Sequence, residues 1–136
     1  MISEPILRGR AHRIVFIEKG VGNAKTFGQL AETLRGNHTW KKLLSVMVRA
    51  CEHGLKTVCT NPLVCKRFRG EDSGLCEFKS PPYRVMFFEC EREHGLIVIT
   101  HCFKKKRGDT PPNEKKRARR LQATYYEWLD SQNDTT

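Results

Sequence analysis

Three runs of β-branched and aromatic residues crowd into residues 66–105, and the links between them are too short to hold a crossover helix. Lys66 to Lys79 alternates loosely around Gly70 and Gly74, Tyr83 to Cys90 reads Y-R-V-M-F-F-E-C, and Leu96 to Lys105 reads L-I-V-I-T-H-C-F-K-K. The links Ser80-Pro81-Pro82 and Glu91 to Gly95 leave an antiparallel meander as the simplest arrangement, because parallel neighbours need a connection of a dozen or more residues.

The flanking segments read differently. Arg13 to Glu18, R-I-V-F-I-E closed by Lys19-Gly20, is a strand followed by a turn. From Ala24, Phe27, Leu30, Ala31 and Leu34 recur at helical spacing up to a stop at Gly36-Asn37. Leu43, Leu44, Met47, Ala50 and Cys51 then share a helical face that ends at His53-Gly54, so the two segments form a helical hairpin. Residues 55–66, with Asn61-Pro62 and little periodicity, read as a connection back to the sheet. Thr110-Pro111-Pro112 opens a last helix, since Thr satisfies free amides and Pro tolerates the first turn. That helix is expected to run to about Leu129, with Ala118, Leu121, Tyr125 and Trp128 inward. The order is β-α-α-β-β-β-α, an α+β fold with a mostly antiparallel sheet packed against helices. One domain over residues 1–130 is expected, with a polar tail over 131–136.

Charge is the second constraint. The chain has 25 Lys and Arg against 15 Asp and Glu, a net +10. Residues 104–120 alone hold nine cations against Asp109 and Glu114. Such an excess attracts nucleic acid, anionic lipid or an acidic protein, and the run over 104–120 exceeds what solubility needs, which favours nucleic acid or a protein partner there. No apolar run approaches the roughly 20 residues of a membrane span. The start is broken by Glu4, Arg8, Arg10 and Arg13, so it lacks a signal-peptide core and a cytoplasmic location is expected. The six cysteines, at 51, 59, 65, 76, 90 and 102, are then expected to stay reduced. They form no C-x-x-C pair, which leaves a zinc site, even a scattered one with His53, His94 or His101, poorly supported.

Four blocks carry a resemblance: G-L-C-E-F-K (74–79), Y-R-V-M-F-F (83–88), I-V-I-T-H-C-F-K-K-K (97–106) and T-P-P-N-E-K-K-R-A-R-R (110–120). In order and spacing the chain resembles the RelE/ParE toxin superfamily, in its phage-derived, HigB-like branch. The resemblance implies the RelE-like microbial RNase fold and a toxin of a type II toxin–antitoxin pair. It also implies a cognate antitoxin, of helix-turn-helix type and acidic, that covers the basic groove. Many members cut mRNA on the ribosome without metal or other cofactor, whereas ParE-like members inhibit DNA gyrase. A basic module of phage origin that has lost activity is a third outcome. Fold alone does not choose among them.

Cleavage by the implied route uses the RNA's own 2′-hydroxyl to attack the neighbouring phosphate, so the protein must move protons and stabilise added negative charge. Arg84 is the first candidate, because a guanidinium inside an apolar strand is costly unless it faces a groove or a partner. Its alternative is an ion pair with Glu77 or Glu89 on a neighbouring strand. Lys104 and Lys105 must point to opposite faces, so only one enters a given groove. The resemblance assigns Lys105 to the phosphate and Lys104 to binding, the alternative being a solvated strand edge. It also marks Lys79 as functional, against a plain surface lysine. His101 shares the face of Phe103 and Lys105 and is a candidate acid or base, against a hydrogen-bonded core histidine. Tyr83 either stacks on a base or fills the sheet. Lys106, Arg107, Lys115, Lys116 and Arg119 are expected to grip RNA backbone. Some ribosome-dependent relatives carry a catalytic Tyr just after the last strand, and Gly108 to Pro112 contains none.

Overall fold

The computed structural model describes residues 1–133 apart from 21 and 23. It is an α+β fold in three layers, with a six-stranded sheet between helices, as the resemblance to RelE-like proteins implies. The strands are β1 (Leu7–Arg8), β2 (Arg13–Phe16), β3 (Cys65–Arg67), β4 (Leu75–Ser80), β5 (Tyr83–Glu89) and β6 (Leu96–Lys104), and their order across the sheet is β1-β2-β6-β5-β4-β3. All neighbours are antiparallel except β2 and β6, which run parallel with Arg13 opposite Leu96.

The helices are α1 (Phe27–Leu34), α2 (His38–His53), α3 (Leu55–Val58) and α4 (Pro112–Asn133). Helix α1 starts at a reciprocal cap. The Gln29 amide donates to the Thr26 hydroxyl, and the Thr26 amide donates to the Gln29 side-chain oxygen. Helices α1 and α2 cover one sheet face, where Phe27, Leu30, Leu43, Met47 and Ala50 pack on Phe78, Val85, Phe87, Ile97 and Ile99. On the other face Ala118, Leu121 and Tyr125 of α4 meet Phe68, Met86, Phe88 and Val98. Strands β5 and β6 are thus covered on both sides, which is why they read as nearly continuous apolar runs rather than alternating ones.

Several expectations are corrected. The run from Lys66 to Lys79 is two strands, because Gly70–Asp72 makes a turn of 3-10 helix that folds β3 back on β4. Within residues 55–66, the first turn is helical. The two-residue β1 is an addition to the expected order, since a strand so short has no periodicity to read. Helix α4 does not stop at Leu129 but includes Ser131 and Gln132, and the last part of the expected tail, 134–136, lies outside the described residues. Trp128 points inward as expected and packs, half-buried, against the core beside Tyr125.

The cysteines also divide. Cys51, Cys76, Cys90 and Cys102 are free and buried. Cys59 and Cys65 form a disulfide, against the expectation that all six stay reduced, because the turn after α3 brings their Cα atoms to 4.7 Å. Among the described residues no group of three or more His, Cys, Asp or Glu is placed to hold a metal. No helix among them is long and apolar enough to cross a membrane.

Candidate functional site

The pairing register decides which cations meet. Lys79 lies opposite Arg84, Arg84 opposite Phe103, and Met86 opposite both Glu77 and His101. Directly paired residues share a face, so Glu77, Lys79, Arg84, His101 and Phe103 all point toward the α4 side. Tyr83 pairs with Lys104 on the other face, and the Lys104 ammonium lies 5.5 Å from the Tyr83 ring centre. Lys104 and Lys105 therefore diverge, as strand alternation requires.

At the end of the sheet where β4 turns into β5, Lys79, Tyr83, Arg84, Lys105, Lys106 and Arg107 line a pocket of about 260 Å³ with Leu63, Pro81 and Gly108. Five of those side chains are cationic and none is a carboxylate. Leu63, Pro81 and Gly108 come from loops that only the folded chain brings together, and nothing in the sequence pattern marks them.

Glu77, behind the pocket lining, anchors two of its cations. Its carboxylate is fully buried, with Oε1 lying 3.6 Å from Arg84 Nη1 and 3.7 Å from Lys79 Nζ. Its other oxygen accepts a 2.8 Å hydrogen bond from the Thr110 hydroxyl, which ties the segment before α4 to the sheet. Arg84 is 4% exposed and donates from Nη2 to the Gly108 carbonyl at 2.7 Å. The ion pair with Glu77, the alternative role for Arg84, is present, but it is too long to be a hydrogen bond. Arg84 Nη1 and Glu77 Oε1 are left without one. Arg84, fixed between Glu77 and the Gly108 carbonyl, adds its charge to a pocket lined by cations alone, which favours an anion there.

Burial pushes Lys79 below the ordinary lysine value, with Glu77 opposing and Arg84 and Lys66 adding to the effect. Lys79 is only half-buried, so its ammonium remains in reach of the pocket.

His101 is not part of this arrangement. It sits on the predicted face but has no exposed surface, and it does not line the pocket. Its Nε2 is 3.2 Å from Glu114 and its Nδ1 is 3.2 Å from the Thr100 hydroxyl, the position of a hydrogen-bonded core histidine beneath α4. Burial lowers its pKa, while Glu114 pulls the other way.

The remaining candidates spread along α4. Lys115 and Arg119 both pair with Asp72, and Lys116 is exposed. Lys115 belongs to a second basic depression, about 750 Å³, with Lys66, Arg67 and Arg69. Those three cations carry no signal in the sequence, because they are scattered through a segment that reads only as a loose strand.

The family described as Phage derived protein Gp49-like matches residues 27–123, from the first residue of α1 well into α4. That span includes every side chain lining the pocket. No curated protein matches the chain.

Proposed function

The chain belongs to the phage-derived Gp49-like family, and from that premise we propose that it is the toxin of a toxin–antitoxin pair, a metal-independent endoribonuclease that cuts mRNA on the ribosome. The observation that carries the reading is a pocket lined by five cations and no carboxylate, with Arg84 held in place by the Gly108 carbonyl. A phosphodiester offers the anion that this lining lacks. It also supplies counter-charge where Glu77 serves only Lys79 and Arg84, and where Lys105, Lys106 and Arg107 have no ion pair among the described residues.

In the reaction, the 2′-hydroxyl of the upstream nucleotide attacks the phosphorus while Lys79 in its neutral form removes the hydroxyl proton. The depressed pKa of Lys79 raises the share of that form near neutral pH. Arg84 and Lys105 hold the additional charge on the phosphoryl oxygens. The bond to the 5′-oxygen breaks, leaving a cyclic phosphate upstream, and that oxygen takes a proton from the ammonium of Lys105 or Lys106. His101 has no part in this scheme, since α4 and Glu114 close it off. An acidic antitoxin segment laid across the same pocket would neutralise the toxin by occupying the phosphate position.

Induction of the protein followed by mapping of mRNA 5′ ends tests this reading. New cuts in ribosomal A-site codons are expected, together with growth arrest, and both should vanish in Lys105→Ala and Lys79→Ala. Intact mRNA with cleaved plasmid DNA would instead indicate gyrase poisoning. Unaffected growth with soluble protein would indicate a binding module.

A further inference from the structure

The second basic depression has no role in the scheme above, yet its construction is unusual. Two ammonium groups converge on one ring. Lys66 Nζ lies 5.6 Å and Lys115 Nζ 4.9 Å from the centre of Phe68, which is itself buried. Arg67 and Arg69 complete the wall, and no carboxylate lines the depression. Lys115 has Asp72 at 3.6 Å and Arg67 has Glu89 at 3.5 Å, whereas Lys66 and Arg69 have no ion pair among the described residues. Two ammonium groups held near one ring repel each other, and Asp72 offsets only that of Lys115.

This depression also neighbours the first pocket. Pro62 lines one and Leu63 the other, so a single loop separates them. Lys66 pairs across the sheet with Glu77, the carboxylate that anchors Lys79 and Arg84. Lys66 on β3 and Arg84 on β5 are two strand spacings and two residues of rise apart, about 12 Å. Together the two hollows are lined by nine cations.

We propose that Lys66, Arg69 and Lys115 form a second phosphate-binding site, which holds the same RNA strand whose scissile phosphate enters the Arg84 pocket. The proposal rests on that reading of the first pocket. Because the two lysines cover the Phe68 ring, no base stacks there, and the site grips backbone without choosing sequence. Its work is to hold the strand in register across the β3 edge while the chemistry takes place at Lys79 and Arg84.

The test is binding of a 2′-O-methyl oligouridine of about twelve nucleotides, a length within the range single-strand sites cover. It carries no attacking hydroxyl, so binding is read without cleavage. Fluorescence anisotropy is measured over a salt series for the wild type, K66Q/R69Q and K105Q/K106Q, each checked for an unchanged thermal melt. Both double variants should bind roughly tenfold more weakly at low salt. The slope of log K against log salt should shrink by about 0.7 for each phosphate that the variant no longer neutralises. If K66Q/R69Q binds like the wild type while K105Q/K106Q is weakened, the second site is refuted and the first stands. If only K66Q/R69Q is weakened, the Arg84 pocket does not hold RNA and the shared strand falls with it. A polyglutamate of similar length that competes for Lys66 and Arg69 better than the oligonucleotide would overturn the proposal in favour of an acidic protein.

Discussion

Arg84 and Glu77 are buried one strand apart, 3.6 Å from each other, and neither facing atom has a hydrogen bond. Such a pair is poorly compensated when alone and expensive to break, because removing one partner strands the other charge in the interior. Arg84→Ala should therefore lower stability by about 3–5 kcal/mol. The double variant E77Q/R84M, which removes both charges, should regain most of it while staying inactive. Urea titration reads both, and an Arg84→Ala protein as stable as the wild type would mean that Lys79 alone compensates Glu77.

Lys79 sets a pH dependence for catalysis. Burial holds its pKa below the ordinary 10.5, with Glu77 opposing the shift. Only the neutral amine accepts a proton, so single-turnover cleavage should rise with pH, about tenfold per pH unit at first. It should level off before pH 10.5. In Lys79→Arg the rate should fall by about 10² to 10⁴ and the rise should disappear. A rate that is flat in the wild type would assign proton removal elsewhere.

Burial depresses the pKa of His101, with Glu114 opposing. Below the ordinary value of about 6.5, the unfolded chain binds a proton that the folded protein resists. Stability is then fully present above that pH and declines as pH falls from there toward the lowered folded value. The decline should not exceed about 1.4 kcal/mol per pH unit, the limit for one proton. Denaturation midpoints for His101→Gln should fall less steeply between about pH 7 and pH 5 than those of the wild type. Parallel curves would show that His101 is not held neutral.

Gly9 packs against backbone. A Cβ there would lie 2.5 Å from the Cys51 carbonyl carbon and oxygen and 2.8 Å from the Glu52 nitrogen. These atoms belong to the last turn of α2, where the Cys51 carbonyl also accepts from the amides of Ala11 and His12. Gly9→Ala should cost about 1–3 kcal/mol, measured by thermal denaturation. No loss would imply that the loop at residues 9–12 shifts freely.

The elements legible in the sequence are those fixed by neighbouring residues. The helical hairpin follows from the spacing of Leu30, Leu34, Leu43 and Met47, and the strands β5 and β6 from their composition and short link. Alternation along β6 separates Lys104 from Lys105 correctly, because the irregularity in the β5–β6 pairing lies before His101. Depth and distant pairing are what local patterns cannot supply. His101 occupies the predicted face, but only the position of α4 above it decides that it is sealed. The parallel contact of β2 with β6 and the meeting of Cys59 with Cys65 likewise depend on tertiary approach. The same holds for the pocket, where sequence supplies Lys79, Arg84, Lys105, Lys106 and Arg107, and folding adds the Leu63 loop and the Gly108 carbonyl.

Strand β2 pairs with β1 just before it, yet its parallel partner β6 follows roughly eighty residues later, since Arg13 pairs with Leu96. At a synthesis rate of about 5–20 residues per second, that interval lasts several seconds, during which Ile14 and Val15 have no β6 to dock on. The hairpins of β4, β5 and β6 join stretches adjacent along the chain, so they can zip as they emerge. The nascent protein thus completes the β4–β6 meander before β2 can take its place beside β6.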